Sequence, residues 1–221
     1  MGIGNILILG QMTTYILACM FSFFIFAPMA VNKNSDFNGH CLLFAQGQID
    51  TDRATRVVIN MWGSPSNCNF AITVGIFALL LSIFQMVRLS FHVYYETDSS
   101  FIGAFGTFIF NLILVMMLFA SAILVAQGYN AWCSIIEPAY SCPVASFQDD
   151  LWKDLPNINP KNYSVQLGMT QFGLWTELIL WVLITLFSVI KLVKYHQRES
   201  ILRSLNRERD RLISRYSQPE I

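Results

Sequence analysis

Four long apolar runs, separated by polar segments, dominate the pattern along the chain. Each run is long enough to cross a hydrocarbon core of about 30 Å, which takes roughly 20 helical residues. Hydrophobicity within each run is continuous, whereas the strands of a membrane β-barrel alternate. Because backbone N–H and C=O groups must be paired inside lipid, the runs are predicted to be helices. The predicted spans are about residues 6–29, 70–91, 102–127 and 171–193, within a membrane domain of residues 1–195.

The first run has two possible fates, retention as a helix or cleavage as a signal peptide. No Lys or Arg precedes the run, and cleavage after Ala30 would place Pro28 where a small residue is preferred. We therefore expect a retained first helix, which makes the chain an all-α membrane protein with a four-helix bundle. Cleavage is the alternative.

Two long polar segments, residues 30–69 and 128–170, connect the predicted spans. The first contains "HCLLFAQGQI" and "TRVVINMW", two runs rich in β-formers that are separated by the polar stretch "DTDRA", and this pattern indicates a β-hairpin. The second contains four prolines and lacks a clear period, so we expect it to be irregular, with one helical turn near residues 147–155.

Composition and charge support a membrane protein and indicate its orientation. The chain is 54% hydrophobic and 13% charged, whereas soluble domains are roughly 25% charged. Its net charge of zero argues against a nucleic-acid partner. Of the 14 Lys and Arg residues, eight lie between Lys191 and Arg215. By the positive-inside rule both termini are predicted to be cytoplasmic, with residues 30–69 and 128–170 outside, in the plasma membrane or a secretory membrane.

The basic tail, residues 196–221, continues the fourth span with good helix formers. Ile201, Leu202 and Leu205 recur at helical spacing with arginines between them. Three interpretations are open: a helix lying on anionic lipid, a short coiled segment that docks on a partner, or a solvated helix that only sets topology. If the tail lies on anionic lipid, the residues that face the lipid are Lys191, Lys194, Arg198, Arg203 and Arg207.

Four of the five cysteines fall in the segments predicted to lie outside: Cys41 and Cys68 in the first, Cys133 and Cys142 in the second. An even number in an oxidising compartment indicates disulfides, and four cysteines allow three connectivities. Pairing within each segment is favoured because each closure is local; a bridge between the segments is the alternative. The sequon at Asn162 lies in the second segment and predicts glycosylation there.

Polar and small residues within the spans predict contacts between helices. Gln11, Gln85 and Asn111 lie on three different spans in the cytoplasmic half, and we expect them to share hydrogen bonds across the bundle. The first span also carries small residues at a spacing of four, which predict a close packing face. They are Gly10, Thr14, Ala18 and Ser22.

Glu177 is the only acid within a predicted span. It shares a helical face with Trp181, Thr185 and Ser188. One interpretation is a carboxylate near the outer interface that stays hydrated, and the other is a proton or cation site. We favour hydration, because a coupled site normally has a charged partner within the membrane.

Enzyme patterns are missing from the sequence. The three histidines, His40, His92 and His196, lie on different segments and on both sides of the membrane, so they do not form a cluster with metal-ligand spacing. No Gly-rich phosphate loop or nucleophile elbow is present. We therefore expect neither a catalytic activity nor a cofactor.

Four motifs occur in a fixed order around the spans: "FNGHCLLF", "WGSPSNCNF", "WCSII" and "QFGLW". With the charged helical tail, they resemble the transmembrane protein 179 family. The resemblance implies a multi-pass membrane protein without an established enzymatic activity. A looser likeness to claudin-type tetraspans is one of architecture, because "FGLW" lies at Phe172 to Trp175 and not in the first connecting segment.

These observations favour a non-enzymatic tetraspan that binds another membrane protein, as an accessory subunit, an assembly factor or an adhesion element. Its disulfide-bonded outer segments would recognise the partner, and its basic tail would contact anionic lipid. The alternative is a small transporter or ion-conducting oligomer that uses Glu177.

Overall fold

A computed structural model describes residues 3–50, 56–95, 101–153, 155 and 158–216 of the chain. Within these residues four long helices form a bundle, and each contains an apolar stretch long enough to cross a membrane. They are α1 (Ile3–Val31), α2 (Pro65–Tyr95), α3 (Phe101–Ile136) and α5 (Tyr163–Tyr216), with the short helix α4 (Cys142–Ala145) between the last two.

The buried faces of the four long helices determine which helices are neighbours in the bundle. Helix α1 packs against α2 and α5, and α3 packs against α5 and the small sheet. Buried side chains of all four long helices belong to one apolar core that extends into the sheet, as Ile25, Val74, Leu118 and Trp181 illustrate. The predicted four-helix bundle is confirmed.

Two helices run well beyond the predicted spans. Helix α3 continues to Ile136, two residues before Pro138. Helix α5 is continuous for 54 residues and includes most of the predicted tail. The predicted length of a span covers only the part of the helix that lies within hydrocarbon. Both helices continue beyond that part because no proline interrupts them.

The predicted hairpin is present as two antiparallel strands, β1 (Cys41–Asp50) and β2 (Arg56–Gly63). Cys41 lies opposite Gly63, and Asp50 lies opposite Arg56, while the predicted turn at residues 51–54 lies outside the described residues. The register shifts between Cys41 and Gln46, where Phe44 has a φ of +62°. This bulge bends β1 so that it lies along α3.

The bend brings β1 very close to the backbone of α3. A Cβ atom placed on Gly128 would lie 2.8 Å from Leu43 Cβ, and both residues are buried. Only glycine fits at that crossing without displacing the strand. The sheet, α4 and residues 128–136 of α3 together form one structural unit at this end of the bundle, which we call the platform.

Candidate recognition surface and intramembrane polar sites

The first disulfide ties the platform to the membrane bundle. It joins Cys41, at the start of β1, to Cys68, in the first turn of α2, with a Cα–Cα distance of 5.9 Å. Both cysteines are fully buried. The pairing predicted within the first segment is confirmed, and it fixes the sheet at the mouth of a spanning helix.

The second disulfide closes the segment that follows α3. Cys133, near the end of α3, bonds to Cys142, at the start of α4, with 5.3 Å between their Cα atoms. This is the pairing that the sequence favours for the second segment. Cys19 is a free thiol within α1.

An aromatic cluster packs beside the second disulfide. The Trp132 ring lies 5.9 Å from that of Trp152 and 6.1 Å from that of Tyr163. The Tyr163 hydroxyl donates a hydrogen bond of 2.6 Å to the Cys142 carbonyl, and Trp152 Nε1 donates one of 3.0 Å to the Ala145 carbonyl. The irregular segment is thereby held on the start of α5.

Hydrogen bonds connect the two polar segments, residues 30–69 and 128–170. The alternative of a disulfide between these segments is not realised, because each disulfide lies within its own segment. Asn32 Nδ2 donates to Gln166 Oε1 over 2.8 Å, and Gln166 Nε2 donates to Asp36 Oδ2 over 2.6 Å. The Asn159 amide donates to the Asp36 carbonyl over 2.9 Å. A short π-helix, Asn32–Asp36, at the end of α1 is therefore docked on the start of α5.

The platform exposes apolar side chains on its surface. Met61 and Val58 on β2 are 62% and 39% exposed, and Phe147, just after α4, is 69% exposed. His40 stacks on Trp62, with 4.8 Å between the ring centroids. A cavity of about 300 Å³ lies between β1 and α3. Its lining residues are Phe44, Ala45, Gln46, Gly47, Ala131, Ser134 and Ile135.

Asn162 is exposed at the same end of the bundle. It ends a single 3-10 turn, Pro160–Asn162, and the buried Tyr163 begins α5 directly after it. Ser164, the third residue of the sequon, lies 3.2 Å from the Tyr129 hydroxyl. Glycosylation at Asn162 stays a prediction.

The carboxyl group of Glu177 is fully buried between α1 and α5. Its Oε1 accepts hydrogen bonds from Ser22 Oγ at 3.1 Å and from Trp181 Nε1 at 2.8 Å, whereas Oε2 has no partner among the described residues. The expectation of a hydrated carboxylate is wrong, because the small face of α1 packs over this part of α5. Ala18 and Ser22, both fully buried, make that close approach possible.

Of the three amide side chains predicted to bond to one another, Asn111 forms a bond to another helix, but not to either of the other two amides. Asn111 Nδ2 donates to Ser188 Oγ on α5 over 3.0 Å. Gln11 and Gln85 are buried, but in the described part of the chain no hydrogen bond joins either of them to Asn111. The predicted shared network is wrong, because Ser188 is the nearer partner.

Gln11 and Gln85 instead line a partly enclosed cleft at the end of the bundle opposite the platform. Arg88 enters this cleft from α2, donating one hydrogen bond to Thr107 Oγ1 and another, of 3.2 Å, to the Gly103 carbonyl. Arg88 is absent from the predicted site residues. Its position one turn after Gln85, inside an apolar run, is the sequence feature that could have indicated a polar site here.

The basic residues of the tail divide into two groups. Lys194, Arg198, Arg203 and Arg207 are exposed along α5, and Arg203 forms an ion pair of 2.5 Å with Glu199. Lys191 is half-buried and lines the cleft, so it does not belong with the exposed group. Contact of the exposed residues with lipid stays a prediction.

Comparison with known proteins identifies the family. The model of the Transmembrane protein 179/179B Claudin domain matches residues 7–213 of the chain, a range that includes both disulfides and nearly all of the four long helices. No solved structure matches the chain. The chain therefore belongs to the claudin-domain family of transmembrane proteins 179 and 179B, which are multi-pass membrane proteins.

Proposed function

We propose that this protein is a non-enzymatic membrane protein that binds another membrane protein through its platform. The observation that carries the proposal is the exposure of Met61 and Val58 on a strand whose sheet is covalently tied to the bundle. Exposed apolar side chains on a well-packed base are typical of protein contact surfaces. The partner role is that of an accessory subunit, an assembly factor or an adhesion element.

A fixed platform favours binding for an entropic reason. The Cys41–Cys68 disulfide ties the sheet of the platform to α2, and the Cys133–Cys142 disulfide ties α4 to α3. A surface that is already ordered loses little conformational entropy when a partner docks, so more of the contact energy appears as affinity.

The orientation that fits this role puts the platform outside and both termini in the cytoplasm. The two disulfides favour an oxidising compartment for the platform, and the basic stretch from Lys191 onward favours the cytoplasm for the opposite end. Asn162 lies on the platform side and is available for glycosylation there. This placement corresponds to the plasma membrane or a membrane of the secretory pathway.

Site-specific crosslinking tests the partner proposal. A photoreactive amino acid at Met61 is expected to capture a membrane protein in intact cells, whereas the same group at Gln197, exposed on α5 at the opposite end of the bundle, is the matched control. Mild-detergent purification should recover the same companion. Recovery of the monomer alone, with no crosslink at Met61 in several expressing cell types, would overturn the proposal.

The exposed basic face of the tail is proposed to lie on anionic lipid. Arg198, Arg203 and Arg207 are all exposed, and each basic residue near such a surface contributes about 1 kcal/mol. Binding to vesicles with and without phosphatidylserine, compared with a variant in which the three are changed to Gln, tests this contact.

A second candidate function is a small transporter or ion-conducting oligomer centred on Glu177. The observation in its favour is the buried Oε2 atom, which has no partner among the described residues. The candidate requires a proton- or cation-dependent flux in liposomes that Glu177→Gln abolishes. Absence of any flux with the purified wild-type protein would remove it.

A further inference from the structure

The cleft at the tail end of the bundle collects polar side chains from all four long helices. Its cavity of about 40 Å³ is lined by Gln11 of α1, by Gln85 and Arg88 of α2, by Thr107 of α3 and by Lys191 of α5. Since a water molecule needs roughly 10–15 Å³ by this measure, the cavity has room for about three waters or one group of similar size.

The described lining of the cleft carries two positive charges and no carboxylate. In the part of the chain that the structure describes, neither Arg88 nor Lys191 forms an ion pair with a carboxylate. Glu177 lies 14 residues before Lys191 on the same helix, which is about 21 Å along the axis. Two partly buried cations at the edge of an apolar bundle are costly unless an anion neutralises them.

The donors of the cleft suit an anion with several oxygen atoms. Arg88 uses two of its five N–H groups on Thr107 and Gly103, so three are left for a ligand. The Lys191 ammonium and the side-chain amides of Gln11 and Gln85 add further donors. A guanidinium, an ammonium and amides around one small cavity match a phosphate group in both charge and geometry.

The depth of the cleft indicates where that phosphate comes from. Arg88 lies three residues before Phe91, where the apolar stretch of α2 ends, and Lys191 lies two residues before the predicted end of the fourth span. Both cations are therefore at the level of lipid headgroups. Phe84, which lies four residues before Arg88 on α2 and so about 6 Å deeper along the helix axis, is exposed at the depth of acyl chains.

We propose that this cleft binds the phosphate group of an anionic phospholipid in the leaflet that faces the tail, with Arg88 and Lys191 as its two cationic ligands. The site differs from the exposed face of the tail, where Arg203 and Arg211 have carboxylate neighbours on their own helix. It does not depend on a protein partner at the platform.

Native mass spectrometry of the full-length protein in detergent tests the proposal. The probes are phosphatidylglycerol and phosphatidylcholine with the same acyl chains, and inorganic phosphate without lipid. We expect one phosphatidylglycerol molecule to remain bound at concentrations at which phosphatidylcholine does not. Equal retention of the two lipids would overturn the assignment to an anionic lipid. So would binding of inorganic phosphate, without lipid, at the same occupancy as phosphatidylglycerol.

Substitutions separate the cleft from the tail. Lys191→Gln and Arg88→Gln are each expected to weaken retention of phosphatidylglycerol roughly 5-fold, as the loss of one basic contact implies. Lys191→Gln is the safer change for folding, because the Lys191 ammonium lies 5.9 Å from the centroid of the Tyr195 ring, on its own helix. Arg211→Gln, on the exposed tail where Arg211 pairs with Glu208, is the matched control and should keep the lipid. Unchanged retention in Lys191→Gln, or a loss in Arg211→Gln of the same size, would overturn the proposal.

Discussion

Ser22 on α1 and Glu177 on α5 are joined by a hydrogen bond of 3.1 Å inside the bundle, 155 residues apart in sequence. Trp181 donates to the same carboxyl oxygen, so one buried acceptor serves two donors from two helices. Removing the acceptor would leave Trp181 Nε1 buried without this partner, whereas Ser22 Oγ would keep its 2.9 Å hydrogen bond to the Ala18 carbonyl.

Glu177→Ala is accordingly expected to destabilise the bundle by about 1–3 kcal/mol, the cost of leaving buried polar groups unpaired. Glu177→Gln keeps a carbonyl oxygen at the acceptor position and should lose much less. Thermal unfolding in detergent measures both changes. Equal melting temperatures for the Ala and Gln variants would contradict this account of Glu177.

The disulfides predict a simple labelling pattern. In unreduced protein that is unfolded in detergent, a maleimide should modify one cysteine, Cys19, and after reduction it should modify all five. Cys68→Ser should release Cys41 as a second reactive thiol while the Cys133–Cys142 bond persists. Intact mass spectrometry counts the added labels, and three labels on unreduced wild-type protein would show that one bond is missing.

Gly128→Ala tests the close crossing of α3 and β1. The new methyl group would overlap Leu43, so we expect a loss of about 1–3 kcal/mol, as overpacking typically costs. Gly106→Ala, on the same helix with nothing within 4 Å of the added atom, is the matched control. The control should gain roughly 0.5–1 kcal/mol from helix propensity. A neutral Gly128→Ala would mean that the sheet does not rest on α3.

Glycosylation of Asn162 reports directly on orientation. If the platform faces the lumen, the protein made in secretory membranes should migrate faster after peptide-N-glycosidase treatment, and Asn162→Gln should abolish the shift. A sequon engineered near the exposed tail residue Ser200 serves as the control and should stay unmodified. Modification of the control site would reverse the assigned topology.

Much of the fold was predictable because its signals are local. Continuous apolar runs indicate spanning helices, and β-formers on either side of a polar turn indicate the hairpin, so α1, α2 and both strands lie close to their predicted positions. The pairing of Cys41 with Cys68 followed from the short distance between them along the chain. The extensions of α3 and α5 beyond the hydrocarbon were not predicted, because hydropathy measures lipid contact and not helix length.

The polar sites were predicted less well because they depend on which helix faces meet. Glu177 is buried because α1 lies against that side of α5, and Asn111 bonds to Ser188 because α3 adjoins α5 there. Neither neighbour follows from spacing within one helix. Likewise, Arg88 and Lys191 lie 103 residues apart in sequence, and the packing of both α2 and α5 against α1 and α3 brings them to one cleft.

The continuity of α5 has a mechanical consequence. At 1.5 Å per residue, its 54 residues make a rod of about 81 Å, and no proline interrupts it between Tyr163 and Tyr216. Its first turns are anchored through Gln166 to Asp36, and the side chains described from His196 onward, over about six turns, are exposed. Because no proline provides a hinge within α5, a tilt of a few degrees at its anchored end moves its far end by several ångströms. The same coupling holds in reverse, so a displacement of the far end tilts the anchored end.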